Sequence, residues 1–146
     1  MHRYSLFAAL SFVSAACIVA APPAEAITVG LHLASVHLPK RDFNNTNPGL
    51  YVRTDGGWTA GAYRNSLNRT SAYAGYTMEW GRLAVTGGAV TGYAEKVQPL
   101  LVPSMKVATL GGVSARVAFI PRVEKRIESH VLHLSLEFGG ASAATR

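Results

Sequence analysis

From Ile27 onward the chain alternates apolar residues with small or polar ones at every second position, in arm after arm. In "ITVGLHLAS", Ile27, Val29, Leu31 and Leu33 alternate with Thr28, Gly30, His32 and Ala34. In "SAYAGYTMEW", Ala72, Ala74, Tyr76, Met78 and Trp80 alternate with Tyr73, Gly75, Thr77 and Glu79, and in "HVLHLSLEF", Leu132, Leu134, Leu136 and Phe138 alternate with His133, Ser135 and Glu137. A period of two is that of a β-strand with different surroundings on its two faces, and helical spacing is scarce. Turn residues divide the chain into about eight such arms, near 27–37, 49–54, 57–64, 71–80, 82–93, 99–109, 113–123 and 130–138.

The connections between arms alternate in length. "TDGGW" (54–58), "WGR" (80–82) and "TLGGV" (109–113) are tight, and the glycines of Asp-Gly-Gly suit a primed hairpin turn, whose residues need positive φ. "LPKRDFNNTNP", "NSLNRTS", "AEKVQP" and "EKRIES" are longer and polar or charged. Short turns at one end and long loops at the other are the pattern of an outer-membrane β-barrel, with both chain ends on the short-turn, periplasmic side. The expected fold is therefore all-β, an eight-stranded antiparallel transmembrane barrel over 27–138. One face of most arms is apolar and suits lipid. The other carries His32, Arg53, Glu79, Arg116, His133, Ser135 and Glu137, which a small closed lumen can pair with one another. A soluble exported sandwich or lipocalin-like barrel is the alternative and would have to bury those charges. Trp58, Trp80 and Phe138 fall near the periplasmic arm ends, where an interfacial aromatic girdle belongs.

The first 26 residues read as a secretory signal peptide. They have a basic start (Arg3), an apolar run from Leu6 to Ala21, the helix-breaking Pro22-Pro23 and a small-x-small site at Ala24-Glu25-Ala26. The run is about 16 residues, short for a membrane span. Cys17, the chain's one cysteine, lies inside it, so the mature part has no disulfide to staple it. Loss of Arg3 and Glu25 leaves the formal charge of +6 unchanged. A basic exported protein is expected to meet anionic lipid headgroups or polysaccharide rather than nucleic acid. The "GGASAATR" that follows Phe138 reads as a disordered tail, 139–146.

The polar centre "RNSLNRTS" is then the second outward loop, and "SVHLPKRDFNNTNPG" is the first with its strand end. His37, Asn65 and Ser66 are all expected at the outer rim, although they are far apart in sequence. A His near a Ser, with an amide or carboxylate to orient it, is the composition of an acyl-transfer site. This chemistry calls for no cofactor and no metal. Lys40, Arg41, Arg64, Arg69, Lys96, Lys125 and Arg126 lie on the same outward side, where guanidinium and ammonium groups can pair with lipid phosphates.

In order and spacing these segments resemble the PagP family of outer-membrane lipid A palmitoyltransferases, which are eight-stranded barrels. "HLPKRDFNNTNPG" is similar to the family's His followed by an Asn-containing loop. "AYRNSLNRTSAYAGYTMEW" resembles its Phe-Lys-Asp-Ser-Phe-Asn segment with the following Ala-Gly-Tyr and Trp. "GAVTGY", "QPLLVPSMKV" and "VAFIP" resemble its later strands. The resemblance implies acyl transfer from a phospholipid to lipopolysaccharide by His37 and Ser66, with Asn65 at the position of the family's Asp. It implies a monomer inserted by the outer-membrane assembly machinery, and lipid access beside Pro103 and Pro121. Gly87, Gly88 and Gly92 would leave room for an acyl chain. The family's helix before the first strand has no counterpart here. A lipid A deacylase, which "NNTNPG" echoes, and a non-enzymatic barrel that binds lipopolysaccharide or stabilises the envelope are the other readings.

Overall fold

The computed structural model describes residues 26–93, 96–121 and 129–139. The leader and tail expected at the two ends lie outside these residues save for Ala26 and Gly139, as do Lys125 and Arg126. Eight strands follow one another: β1 (Ile27–Leu38), β2 (Thr46–Thr54), β3 (Trp58–Arg64), β4 (Thr70–Trp80), β5 (Leu83–Thr91), β6 (Val97–Leu110), β7 (Val113–Ile120) and β8 (His130–Gly139). Each pairs antiparallel with the next, and β8 returns to pair with β1, from Thr28↔Gly139 to Leu38↔His130. The sheet is a closed barrel, and no helix occurs among the described residues.

The tight turns and both ends of the described barrel lie at one end, and the longer connections at the other. Gly111 and Gly112 take φ of 56° and 80°, as a primed turn requires. The "TDGGW" turn differs from the expectation. Only Gly57 has positive φ there, and its N–H donates to Thr54 O at 2.9 Å, which closes a longer loop.

Two strands start earlier than turn residues suggest. β2 begins at Thr46, upstream of Pro48-Gly49. The β1–β2 register passes irregularly from His32↔Gly49 to Ala34↔Thr46, so Pro48 sits where no ladder N–H is demanded of it. β6 begins at Val97 and contains Pro99 and Pro103, which lie opposite Ala89 and Val85 of β5. A residue without an N–H can hold such a place only in a pair that exchanges no hydrogen bonds, so the backbone edge of both prolines faces β7.

Burial is inverted relative to a soluble protein. Among the described residues four apolar side chains are buried (Tyr51, Ala84, Val90 and Val131) against fifteen polar or charged ones, while twenty large hydrophobic side chains stand exposed. Leu50, Val52, Trp58, Trp80, Leu83, Leu101 and Leu132 are among those that face outward. Trp58 packs edge-to-face on Tyr76 with ring centroids 5.6 Å apart.

The lumen at the turn end is lined by charge. Glu137 Oε1 accepts from Tyr51 Oη at 2.7 Å, Arg53 Nη1 at 2.7 Å and Arg116 Nε at 2.9 Å. Glu79 pairs with Arg116 through its Nη2, with Arg53 at 3.3 Å and with Lys106 at 3.5 Å. These side chains come from β2, β4, β6, β7 and β8, so the cluster ties opposite walls together. Glu137 is 3% exposed. Removing it would leave two buried guanidinium groups to share Glu79 alone, a loss on the order of 3–5 kcal/mol for a broken buried pair. Glu137→Ala is therefore expected to lower the unfolding free energy by that amount, read from denaturant unfolding in micelles.

Candidate functional site

The loop end of the barrel depends on a bulge in β1. Thr28, Gly30 and His32 point into the lumen, and strict alternation would continue to Ala34, Val36 and Leu38. Instead the register slips between His32 and Ala34 on both neighbours. Ser35 and His37 are buried, while Val36 and Leu38 are 57% and 47% exposed. A bulge re-aims the strand beyond it, and here it turns the His37 imidazole inward.

His37 is 2% exposed and is held from both sides. Its Nδ1 lies 2.7 Å from Asn45 Oδ1, and its Nε2 lies 2.9 Å from Ser66 Oγ. An amide oxygen can only accept, so Nδ1 carries the hydrogen. Nε2 is then left with its lone pair toward the Ser66 hydroxyl. The Phe43 ring covers the imidazole at a centroid distance of 5.0 Å. Asn45, not Asn65, is thus the amide on His37. It was hidden in "NNTNPG", which reads as a run of turn residues.

Asn65 has a different place. It is fully buried, and every hydrogen-bonding position on its side chain is occupied. Oδ1 accepts from the N–H groups of Leu67 and Arg69, both at 2.9 Å, and Nδ2 donates to Ser71 Oγ at 2.9 Å and Gly92 O at 3.0 Å. It shapes the loop that carries Ser66 and has no N–H left for an oxyanion. The two loops are stitched together. Asn44 N donates to Ser66 O at 3.0 Å, Asn44 Nδ2 to Asn65 O at 3.2 Å, and Asn47 Nδ2 to Arg64 O at 2.8 Å. These contacts set the spacing of Ser66 from His37.

Below this group a polar chain crosses the middle of the lumen. Ser35 Oγ is 2.9 Å from His133 Nδ1, His133 Nε2 is 2.8 Å from His32 Nδ1, and His32 Nε2 is 2.9 Å from Tyr73 Oη. The rings of Tyr51, Tyr63 and Tyr73 pack on His32 at 4.9, 5.1 and 5.7 Å. Inward glycines make room for them: a Cβ on Gly30 would overlap the Tyr51 ring.

A cavity of about 150 Å³ lies beside these rings and reaches Ser66 and Asn47 at the mouth. Toward β6 and β7 its lining is apolar, with Leu100, Val102, Ala118 and Ile120. It is bounded by both faces of β6, since the outward Pro99 and Leu101 also line it. This follows from the pairing. β6 and β7 are paired only from Ser104↔Ala118 toward the turn end, so Val97–Pro103 have no β7 partner among the described residues. The break lies beside Pro103, and β7 stops before Pro121. The glycines expected to make space act differently. Gly88 faces inward against the backbone of Ala74 and Gly75, Gly87 by alternation faces outward, and Gly92 sits in the left-handed region past the end of β5.

Lys40, Arg41, Arg64, Arg69 and Lys96 are exposed at this end, with Arg64 Nε on Asn68 Oδ1 at 2.8 Å. Among the described residues no three His, Cys, Asp or Glu side chains converge as metal ligands. No family model matches the chain, and no curated protein matches it.

The two amides are separable by experiment. Asn65→Ala leaves buried N–H groups without an acceptor and is expected to cost about 1–3 kcal/mol in denaturant unfolding. Asn45→Ala is expected to change stability by less than about 0.5 kcal/mol. It should release the ring, so that ¹⁵N NMR of His37 no longer shows the Nδ1–H tautomer of the native protein.

Proposed function

We propose that this chain is a bacterial outer-membrane barrel, exported with a leader cleaved after Ala26, that transfers an acyl chain from a phospholipid to lipopolysaccharide. The observation that carries the reading is the Ser66–His37–Asn45 chain at the mouth of a partly apolar lumen. The outward apolar surface supports the membrane setting, because hydrocarbon tolerates only strands whose backbone is paired in a closed sheet. The PagP-like order of segments and the exposed cations at the rim support the substrate class, since those cations suit lipid phosphates.

In this reading Ser66 is the nucleophile and His37 the base. The Ser66 proton passes to His37 Nε2 as Oγ bonds to the ester carbonyl carbon. The bond from that carbon to the glycerol oxygen breaks, and this oxygen takes the proton from His37. An acceptor hydroxyl then repeats the sequence and returns Ser66 to its starting state. Asn45 holds the tautomer this requires but brings no charge to steady the imidazolium, unlike a carboxylate. The outer half of β6, which has no β7 partner among the described residues, offers the donor lipid sideways access to the cavity.

The test is mass spectrometry of lipid A from cells with and without the protein, alongside His37→Ala and Ser66→Ala. A gain of one acyl chain that is lost in both variants is expected. A mass loss would identify a deacylase instead. An unchanged lipid A, with the protein folded in the outer membrane, would leave a barrel that binds lipopolysaccharide or stabilises the envelope.

A further inference from the structure

Asn47 lines the cavity that Ser66 reaches, with one atom unused. It is 1% exposed, lies on the inward face of β2 and lines the same cavity as Ser66. Its amide has a single sensible orientation. Nδ2 donates to two carbonyls, Arg64 O at 2.8 Å and Asn44 O at 3.4 Å, and these would repel the oxygen if the group were turned. Oδ1 is buried and accepts no hydrogen bond, the one such side-chain atom among the described residues. A buried acceptor of this kind destabilises the fold until a donor reaches it.

The site already has a group for the proton of an attacking hydroxyl, namely His37 Nε2. What Oδ1 can use is a second donor on the same molecule. We propose that Asn47 positions the acyl acceptor, by accepting a hydrogen bond from a hydroxyl or amide N–H next to the attacking oxygen. This inference rests on the acyl-transfer reading. In the step it serves, the acceptor O–H breaks and its proton goes to His37 Nε2. The acceptor oxygen bonds to the acyl carbon, the bond from that carbon to Ser66 Oγ breaks, and Oγ takes the proton from His37. The second donor has two sources: the other O–H of a water, or a neighbouring group on a lipid-linked sugar. A simple alcohol has neither. Its one O–H belongs to His37, and Oδ1 stays stranded. Sites built around a buried polar partner discriminate strongly against a ligand that lacks it.

The experiment uses the full mature chain in zwitterionic micelles, with a phospholipid donor and either octyl glucoside or octanol as acceptor. The native protein is expected to acylate the glucoside about tenfold faster than the alcohol, the worth of one hydrogen bond to a buried acceptor. In Asn47→Ala that ratio collapses toward one and acyl-Ser66 accumulates, as read by peptide mass. Asn47→Ser, which keeps a short acceptor oxygen, retains part of the ratio and serves as the reading if the Ala variant fails to fold. If water is the source, the native protein shows no preference for the glucoside, and free fatty acid release falls about tenfold in the variants. An unchanged ratio together with unchanged hydrolysis overturns the assignment of Asn47, as does a proportionate fall in all three reactions. If the native protein never forms acyl-Ser66, the acyl-transfer reading itself fails and this inference falls with it.

Discussion

One carboxylate, Glu137, is the fastening on which the barrel relies. It gathers a tyrosine and two arginines from other strands, and through Arg53 and Arg116 it is joined to Glu79 and Lys106. Charges placed in the lumen are tolerable because two carboxylates are shared among three cations, and removing either carboxylate leaves the guanidinium groups short of a partner. Their position matters as much as their energy. They bind the walls to one another at the turn end, where all neighbouring strands are also paired by backbone. The loop end is thereby freed from the task of holding the barrel shut. Among the described residues it contains a cavity, a stretch of β6 without a β7 partner and a buried acceptor without a hydrogen bond.

The site uses that freedom. His37, Ser66 and Asn45 come from one strand end and two loops, and nothing within a single loop would hold them at hydrogen-bonding distance. The asparagines do so. Asn44 and Asn47 bond to the carbonyls of Arg64, Asn65 and Ser66, and Asn65 fixes the loop from inside. An amide is suited to this work because it accepts and donates at once and carries no charge to neutralise. A carboxylate at Asn65 would face the Gly92 carbonyl with no hydrogen to offer.

The barrel could be read from the sequence because its signals are local. Alternation marks the faces, glycines mark the hairpins, and the polar set from His32 to Glu137 lies inside because each member is on the same phase of its arm. What escaped the reading is what alternation hides. The apolar phase of the first arm reverses between Leu33 and Val36: Leu31 and Leu33 are odd-numbered, Val36 and Leu38 even-numbered. That slip is the trace of the bulge, and it could have been seen. Pro48 and Pro99 look like strand boundaries in a bare sequence, whereas the register places both where no donor is needed. The exchange of Asn45 for Asn65 could not be seen at all. Both are turn-forming asparagines, and which of them meets the imidazole depends on the rotation of two loops about each other, which is a property of the folded chain alone.

The prolines of β6 have one more consequence. Along the stretch of β6 that has no β7 partner among the described residues, the backbone positions that face β7 are those of the same parity as Pro103, namely Val97, Pro99, Leu101 and Pro103. A strand edge without a partner would normally expose a donor at each of them. Two of the four have no hydrogen to expose. Proline here acts as insulation: it removes polarity covalently from the strand edge that faces β7, and it withholds a bond that a ladder there would use.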